Sequence, residues 1–142
     1  MKSKGGAFGS FEANNTQYYL NAIPFADHGA LLDPATADVS ARCISMLAQL
    51  GYGRDHTVVL RGLEYLRSEQ EDDGSWYGRW GTNYIYGTWS ALCAFNAAGE
   101  DMHAPQIRKA VEWVKRGILL AFRAGETVVF PKGDAERTYP FR

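Results

Sequence analysis

Apolar positions recur with a helical period in four stretches of the chain. After Asp33-Pro34-Ala35-Thr36, the residues Val39, Cys43, Met46, Leu47 and Leu50 fall at i, i+4, i+7, i+8 and i+11. This predicts an amphipathic helix over about 37–50 with that stripe toward the core. Thr36 or Asp38 can cap its start, and Gly51 suits the position after its end. A second helix is predicted over about 56–70, with Val59, Leu63 and Leu66 on one stripe and Asp72-Asp73-Gly74 as the turn that stops it. A third, short and nearly all apolar, covers about 87–98 and ends at Gly99. The fourth opens at Pro105, a favourable first-turn residue, and continues through Ile107, Val111 and Val114. No alternating strand pattern precedes residue 126, so the predicted class is all-α. Residues 1–35, punctuated by Gly, Asn and Pro, read as a long aromatic loop that packs onto the helices.

The second half of this pattern repeats the first in register. Leu50-Gly51 falls on Ala98-Gly99, and Arg61-Gly62-Leu63-Glu64-Tyr65-Leu66 falls on Lys109-Ala110-Val111-Glu112-Trp113-Val114. Each unit is a helical hairpin, at 36–70 and 86–116. Stacked hairpins bury a core that one alone cannot, and about three are usually needed. Two hairpins therefore point to an incomplete stack.

Composition narrows the picture. Hydrophobic residues make up 46% of the 142 residues and charged residues 22%, ordinary for one globular domain. The net charge of −1 with no basic run argues against nucleic acid as a partner. The N-terminal stretch has no apolar core like that of a signal peptide, and no apolar run is long enough to span a bilayer. Cys43 and Cys93 lie inside helical patterns and read as reduced core thiols.

The most specific stretch is Arg61-Gly62-x2-Tyr65-x4-Gln70-x3-Gly74-Ser75-Trp76. A Gln amide can satisfy backbone groups at a helix end, Gly permits a tight turn, and Trp offers a large flat face to the next hairpin. The motif is structural. Its spacing resembles the QW repeat of triterpene cyclases. The continuation Tyr77-Gly78-Arg79-Trp80-Gly81-Thr82-Asn83-Tyr84-Ile85-Tyr86-Gly87, with Asn21–Gly29, Asp33-Pro34 and Asp38–Cys43, is similar to squalene–hopene cyclases, across roughly residues 5–116.

The resemblance implies an α/α-barrel of helical hairpins, larger than this chain, that cyclises squalene to hopene or hopanol. It implies no metal and no cofactor. It also implies a peripheral, monotopic position on the cytoplasmic side of the membrane, with squalene drawn from lipid. In the family a protonated Asp of a DxDD motif starts the reaction, and aromatic faces stabilise the cation that follows. Carried across, Asp38 and Arg42 match a pair that hydrogen-bonds toward that acid. Phe11, Trp80 and Tyr86 match cavity-wall positions, and Phe25 and Ala26 a constriction at the cavity mouth. Asp38 and Arg42 also stand four apart, the spacing of an ion pair on one helix face. Asp38 and Tyr86 occupy the same position of the two hairpin units.

The chain departs from the family in three respects. It has no DxDD motif, so it is not expected to cyclise squalene alone. The preceding QW motif survives only as Gly6-Ala7-Phe8, and the next, at Ile118, Phe122 and Ala124, has lost its three signature residues. Residues 117–142 read as a divergent tail after a cyclase segment at 1–116. A complementary domain or further copies of the chain would have to complete the barrel. Other readings stay open at this level. One is a glycan hydrolase using Glu69, Asp72 or Asp73, although these cluster on one turn. Another is a zinc prenyltransferase, for which His28, His56 and His103 show no ligand spacing with Cys43 or Cys93. The last is a gene remnant or a non-catalytic helical module that binds membranes or proteins.

Overall fold

The computed structural model describes residues 2–11, 14, 16–24, 32–81 and 83–124, with side chains through Leu119 apart from that of Asn21. Among the described residues four α-helices follow one another: α1 (Ala37–Gln49), α2 (Thr57–Ser68), α3 (Asn83–Ala97) and α4 (Pro105–Ala124). A 3₁₀ turn, Tyr18–Ala22, lies within the N-terminal loop. The described residues contain no β-strand, only an isolated bridge between Lys2 and Phe8. The fold is all-α, two stacked hairpins.

The hairpin repeat reappears bond by bond. Gly51 N–H donates to Ala48 O and Tyr52 N–H to Leu47 O; at the matching places of the second unit, Gly99 N–H donates to Asn96 O and Glu100 N–H to Phe95 O. Both pairs are the closure of a Schellman motif, which satisfies carbonyls a helix end leaves open. The starts of α2 and α4 match as well, with His56 N–H on Gly53 O and Ala104 N–H on Asp101 O.

The core is shared between the hairpins: Ala37, Ala41 and Ile44 of α1, Val59, Leu63 and Leu66 of α2, Ala91, Ala94 and Phe95 of α3, and Ile107 and Ala110 of α4. The α2 stripe is the one expected. That of α1 is not. Met46 is 53% exposed and Leu50 68%, while Ala37, Ala41 and Ile44 are buried. The helix turns its small residues inward because α3 packs closely along that side; of the larger stripe, Leu47 packs against the core and Met46 lies along a groove it shares with Trp89.

Thr36 stands at the N-cap of α1 in extended conformation, but its side chain makes no capping bond, and its buried Oγ1 has no partner. Asp38 does not cap either, because its carboxylate turns to the backbone of Trp80. α3 starts at Asn83, ahead of the expected point, and Asn83 holds a positive φ of 46°. Asn tolerates that conformation better than most residues. α4 runs past position 116 without a break to Ala124.

Gly87 lets α3 approach the preceding turn. A Cβ there would lie 2.3 Å from the Trp76 carbonyl oxygen and 2.7 Å from Gly78 N, both backbone atoms that cannot step aside. Gly87→Ala is expected to destabilise the chain by about 1–3 kcal/mol, read as a lowered urea midpoint with unchanged slope. An unshifted midpoint would show that α3 can slide away from the turn at little cost.

Candidate functional site

The motif residues hold the end of α2 to both later helices. The Gln70 side-chain amide donates to Gly74 O at 3.0 Å and to Gln106 O of α4 at 2.9 Å. Trp76 is wholly buried. Its Nε1–H donates to Leu66 O at 2.6 Å, its backbone N–H donates to Thr88 Oγ1 at 3.0 Å, and its ring lies 5.9 Å from that of Phe95. Gly62 sits against Ile44, where a Cβ would meet the Ile44 side chain at 2.7 Å. Tyr65 OH donates to Ala35 O at 3.0 Å, joining α2 to the entry of α1.

A second turn has the same construction. Ser3 N–H donates to Ala7 O and Gly6 N–H to Ser3 O; in the motif turn, Glu71 N–H donates to Ser75 O and Gly74 N–H to Glu71 O. Gly6 and Gly74 hold φ of 93° and 98°, a region open chiefly to glycine. A Cβ on Gly6 would strike Arg61 and one on Gly74 would strike Lys109, which are counterparts in the hairpin repeat. Phe8 N–H donates to Ser40 Oγ at 2.9 Å, as Trp76 N–H does to Thr88, the residue that corresponds to Ser40 in the second unit. Residues 2–8 therefore repeat residues 70–76, with Phe8 in the place of Trp76. Arg61, an exposed motif residue, is what this first turn packs on.

The two turns deliver loop residues to the N-terminal end of α1. Asp38, fully buried, accepts the Trp80 N–H on Oδ2 at 2.9 Å, and its Oδ1 is buried without a partner. The Arg79 guanidinium contacts Asp33 Oδ1 at 3.0 Å and lies 5.5 Å from the centre of the Trp80 ring. Asp33, also fully buried, accepts the Ser10 N–H on Oδ2 at 2.6 Å. That bond brings Phe11 to the Trp80 ring edge to face, with centroids 6.2 Å apart. Asp38, Trp80 and Phe11 thus meet, with Asp33 and Arg79 as their fastening.

Arg42 does not pair with Asp38. It is exposed and donates through Nη1 to Tyr86 OH at 3.4 Å. The spacing of four allowed the ion pair, but burial of Asp38 at the helix start leaves a fixed backbone donor closer than a flexible guanidinium one turn along. Tyr86 lies 6.2 Å from Trp89. Beyond Arg42, α1 and α3 leave a groove of about 500 Å³ lined by Met46, Gln49, Trp89, Ser90 and Cys93 among others. Partial burial pushes the Cys43 thiol above its usual range. Phe25 and Ala26 lie outside the described residues.

Sequence reasoning overlooked Asp33 and Arg79 as site residues. The available signal was an Arg set beside aromatic residues in Tyr77-Gly78-Arg79-Trp80, since a guanidinium there needs an anion. The assembly offers aromatic faces beside a buried carboxylate, a surface suited to a positive centre in a dry space. Among the described residues, no helix is long and apolar enough to cross a membrane.

Residues 1–119 match the family model of the squalene-hopene cyclase C-terminal domain. The chain is 62% identical over 115 residues to the probable squalene–hopene cyclase of Sinorhizobium fredii, covering 80% of this chain and 18% of that protein. It is 68% identical over 99 residues to the squalene-hopene cyclase of Schizosaccharomyces japonicus, covering 70% and 15% respectively. Over 123 residues it is 40% identical to the dammaradiene synthase of Dryopteris crassirhizoma, with 80% and 18% covered. The chain spans less than a fifth of the length of these relatives.

Proposed function

Because the chain belongs to the squalene-hopene cyclase C-terminal domain family, we propose that it forms one wall of a cavity in which squalene is protonated and cyclised. The carrying observation is the Asp38 carboxylate, with one oxygen on the Trp80 N–H and the other buried and unpartnered. A buried polar atom without a partner calls for a donor. In this reading the donor side comes from the DxDD acid, which is absent from these 142 residues. Asp38 then receives a hydrogen bond from the acid cluster, and Arg42 lends positive charge nearby. Trp80, Tyr86 and Phe11 present aromatic faces to the developing cation. Phe25 and Ala26 would line the cavity mouth. In this reading the cyclase segment is residues 1–116, and the sequence divergence of 117–142 sets in within α4, which runs unbroken to Ala124. No cofactor takes part.

Squalene would come from a membrane on which the completed enzyme rests peripherally, on its cytoplasmic side. Support comes from Tyr18 and Tyr19, 57% and 69% exposed, ring types that favour a bilayer interface.

The test is a chimera in which residues 5–116 replace the matching stretch of the Sinorhizobium fredii relative. It is expected to form hopene from solubilised squalene, detected by mass spectrometry, while the 142-residue chain alone forms none. A folded chimera without product would overturn the cavity-wall role, and hopene from the chain alone would overturn its need for an external acid.

A further inference from the structure

The Trp80 ring already has a cation beside it. The Arg79 guanidinium carbon lies 5.5 Å from the ring centre, and the Arg79 side chain is only 13% exposed. A charge so far out of water acts on its surroundings with little screening. An aromatic ring attracts a cation electrostatically, but two cations beside one ring repel each other. A net positive charge at Arg79 would therefore work against any second cation that Trp80 is to attract, wherever around the ring that cation stands. Asp33 removes this charge. Its carboxylate is fully buried and meets Arg79 Nε at 3.0 Å. Its other oxygen accepts the Ser10 N–H, which holds the group in place. Asp38, the other buried carboxylate here, is turned to the Trp80 backbone N–H instead. Fastening alone does not call for charges, because a buried ion pair is seldom more stabilising than an apolar pair of the same size.

We propose that Asp33 acts on the cyclisation through Trp80: it cancels the Arg79 charge and so keeps the ring attractive to a carbocation. The inference rests on the cavity-wall reading and adds a positioning residue to it. Asp33 itself touches no substrate. The pair joins the loop of Trp80 to the loop of Phe11 while bringing no net charge to the ring. Neither partner could do this alone. A lone guanidinium would repel the travelling cation, and a lone carboxylate would be costly to bury unpaired.

The chimera tests it, titrated calorimetrically with dodecyltrimethylammonium as a stable stand-in for the carbocation and with dodecanol as the uncharged control. Asp33→Asn keeps the size and an acceptor for the Ser10 N–H but leaves Arg79 charged. It is expected to weaken ammonium binding by about 10-fold, to leave dodecanol binding unchanged, and to lower kcat. Arg79→Gln and the double variant Asp33→Asn/Arg79→Gln have no guanidinium beside the ring. Both are expected to bind the ammonium within about threefold of the parent chimera. A pair that only fastens the loops is broken in all three variants, so equal weakening across them would overturn the proposal. Equal loss of ammonium and dodecanol in Asp33→Asn, or ammonium binding unchanged there, would overturn it too. If Asp33→Asn does not fold, Arg79→Gln decides, since weaker ammonium binding in that variant contradicts neutralisation. Hopene from the parent chimera with equal losses in the variants removes this inference alone. A parent chimera without product removes the cavity-wall reading and this inference with it.

Discussion

Trp76→Ala is expected to cost about 3–5 kcal/mol, most or all of the stability of a chain this size. The indole is wholly buried between the end of α2 and Phe95 of α3. Its removal opens a large cavity and strips the Leu66 carbonyl of the Nε1–H it accepts at 2.6 Å. The surroundings cannot collapse to fill the space, because Gly87 already holds α3 against the Trp76 backbone. Urea titration followed by far-UV circular dichroism reads the loss, as an unfolded baseline or a sharply lowered midpoint. Trp76→Phe separates packing from hydrogen bonding and should lose about 1–3 kcal/mol, the share of an abandoned buried acceptor plus some volume. Phe8 stands at the matching place of the first turn, so the fold already accommodates a phenyl ring there. A Trp76→Ala midpoint within error of the parent would remove the motif from its structural role.

In the active chimera, Asp38→Asn is expected to lower kcat by about 10²-fold or more with little change in KM. Asparagine is the same size and can still accept the Trp80 N–H, so the loop stays in place. Its other side-chain atom becomes an NH₂ donor where the carboxylate offered an acceptor, which turns an attraction toward a neighbouring acid into a clash of donors. Asp38→Ala should do more, because it also releases Trp80 and with it the ring wall. Thermal melts of the same proteins distinguish the two effects: Asp38→Asn should melt close to the parent, and Asp38→Ala clearly lower. Full activity in Asp38→Asn would show that the unpartnered oxygen faces no catalytic acid.

Much of this was legible in the residues themselves. Helix positions follow from apolar spacing, and the hairpin repeat and the Gln70-Gly74-Trp76 spacing are visible without any fold. Both describe local conformation, which a few neighbouring residues set. The family was readable for the same reason, since its motif lies in one unbroken stretch.

The first turn was harder to see as a repeat. Residues 2–8 match 70–76 at a larger offset than the one relating the two hairpins, because the loop between Phe8 and α1 is longer than its counterpart between Trp76 and α3. A search for a constant period passes over it; the motif residues Gly6-Ala7-Phe8 hint at it, and the shared hydrogen bonds and the two glycines at positive φ establish it. Asp33 and Arg79 were hidden similarly. They are far apart in the chain and meet only when the two loops are laid side by side.

The sequence alone determined that this protein is a stack of helical hairpins of cyclase type. An amphipathic period and a capped turn are properties of a segment and need no partner to be recognised. Tertiary structure decided which face of α1 is buried and where the Asp38 carboxylate points. A stripe of Val39, Cys43, Met46, Leu47 and Leu50 says that a helix has an apolar side, but burial depends on what lies there: Leu47 packs on the core, Met46 and Leu50 stay exposed, and α3 packs most closely along Ala37 and Ala41. Likewise, spacing brought Arg42 within reach of Asp38, yet a buried carboxylate takes the donor already fixed beside it, the Trp80 N–H from a distant loop.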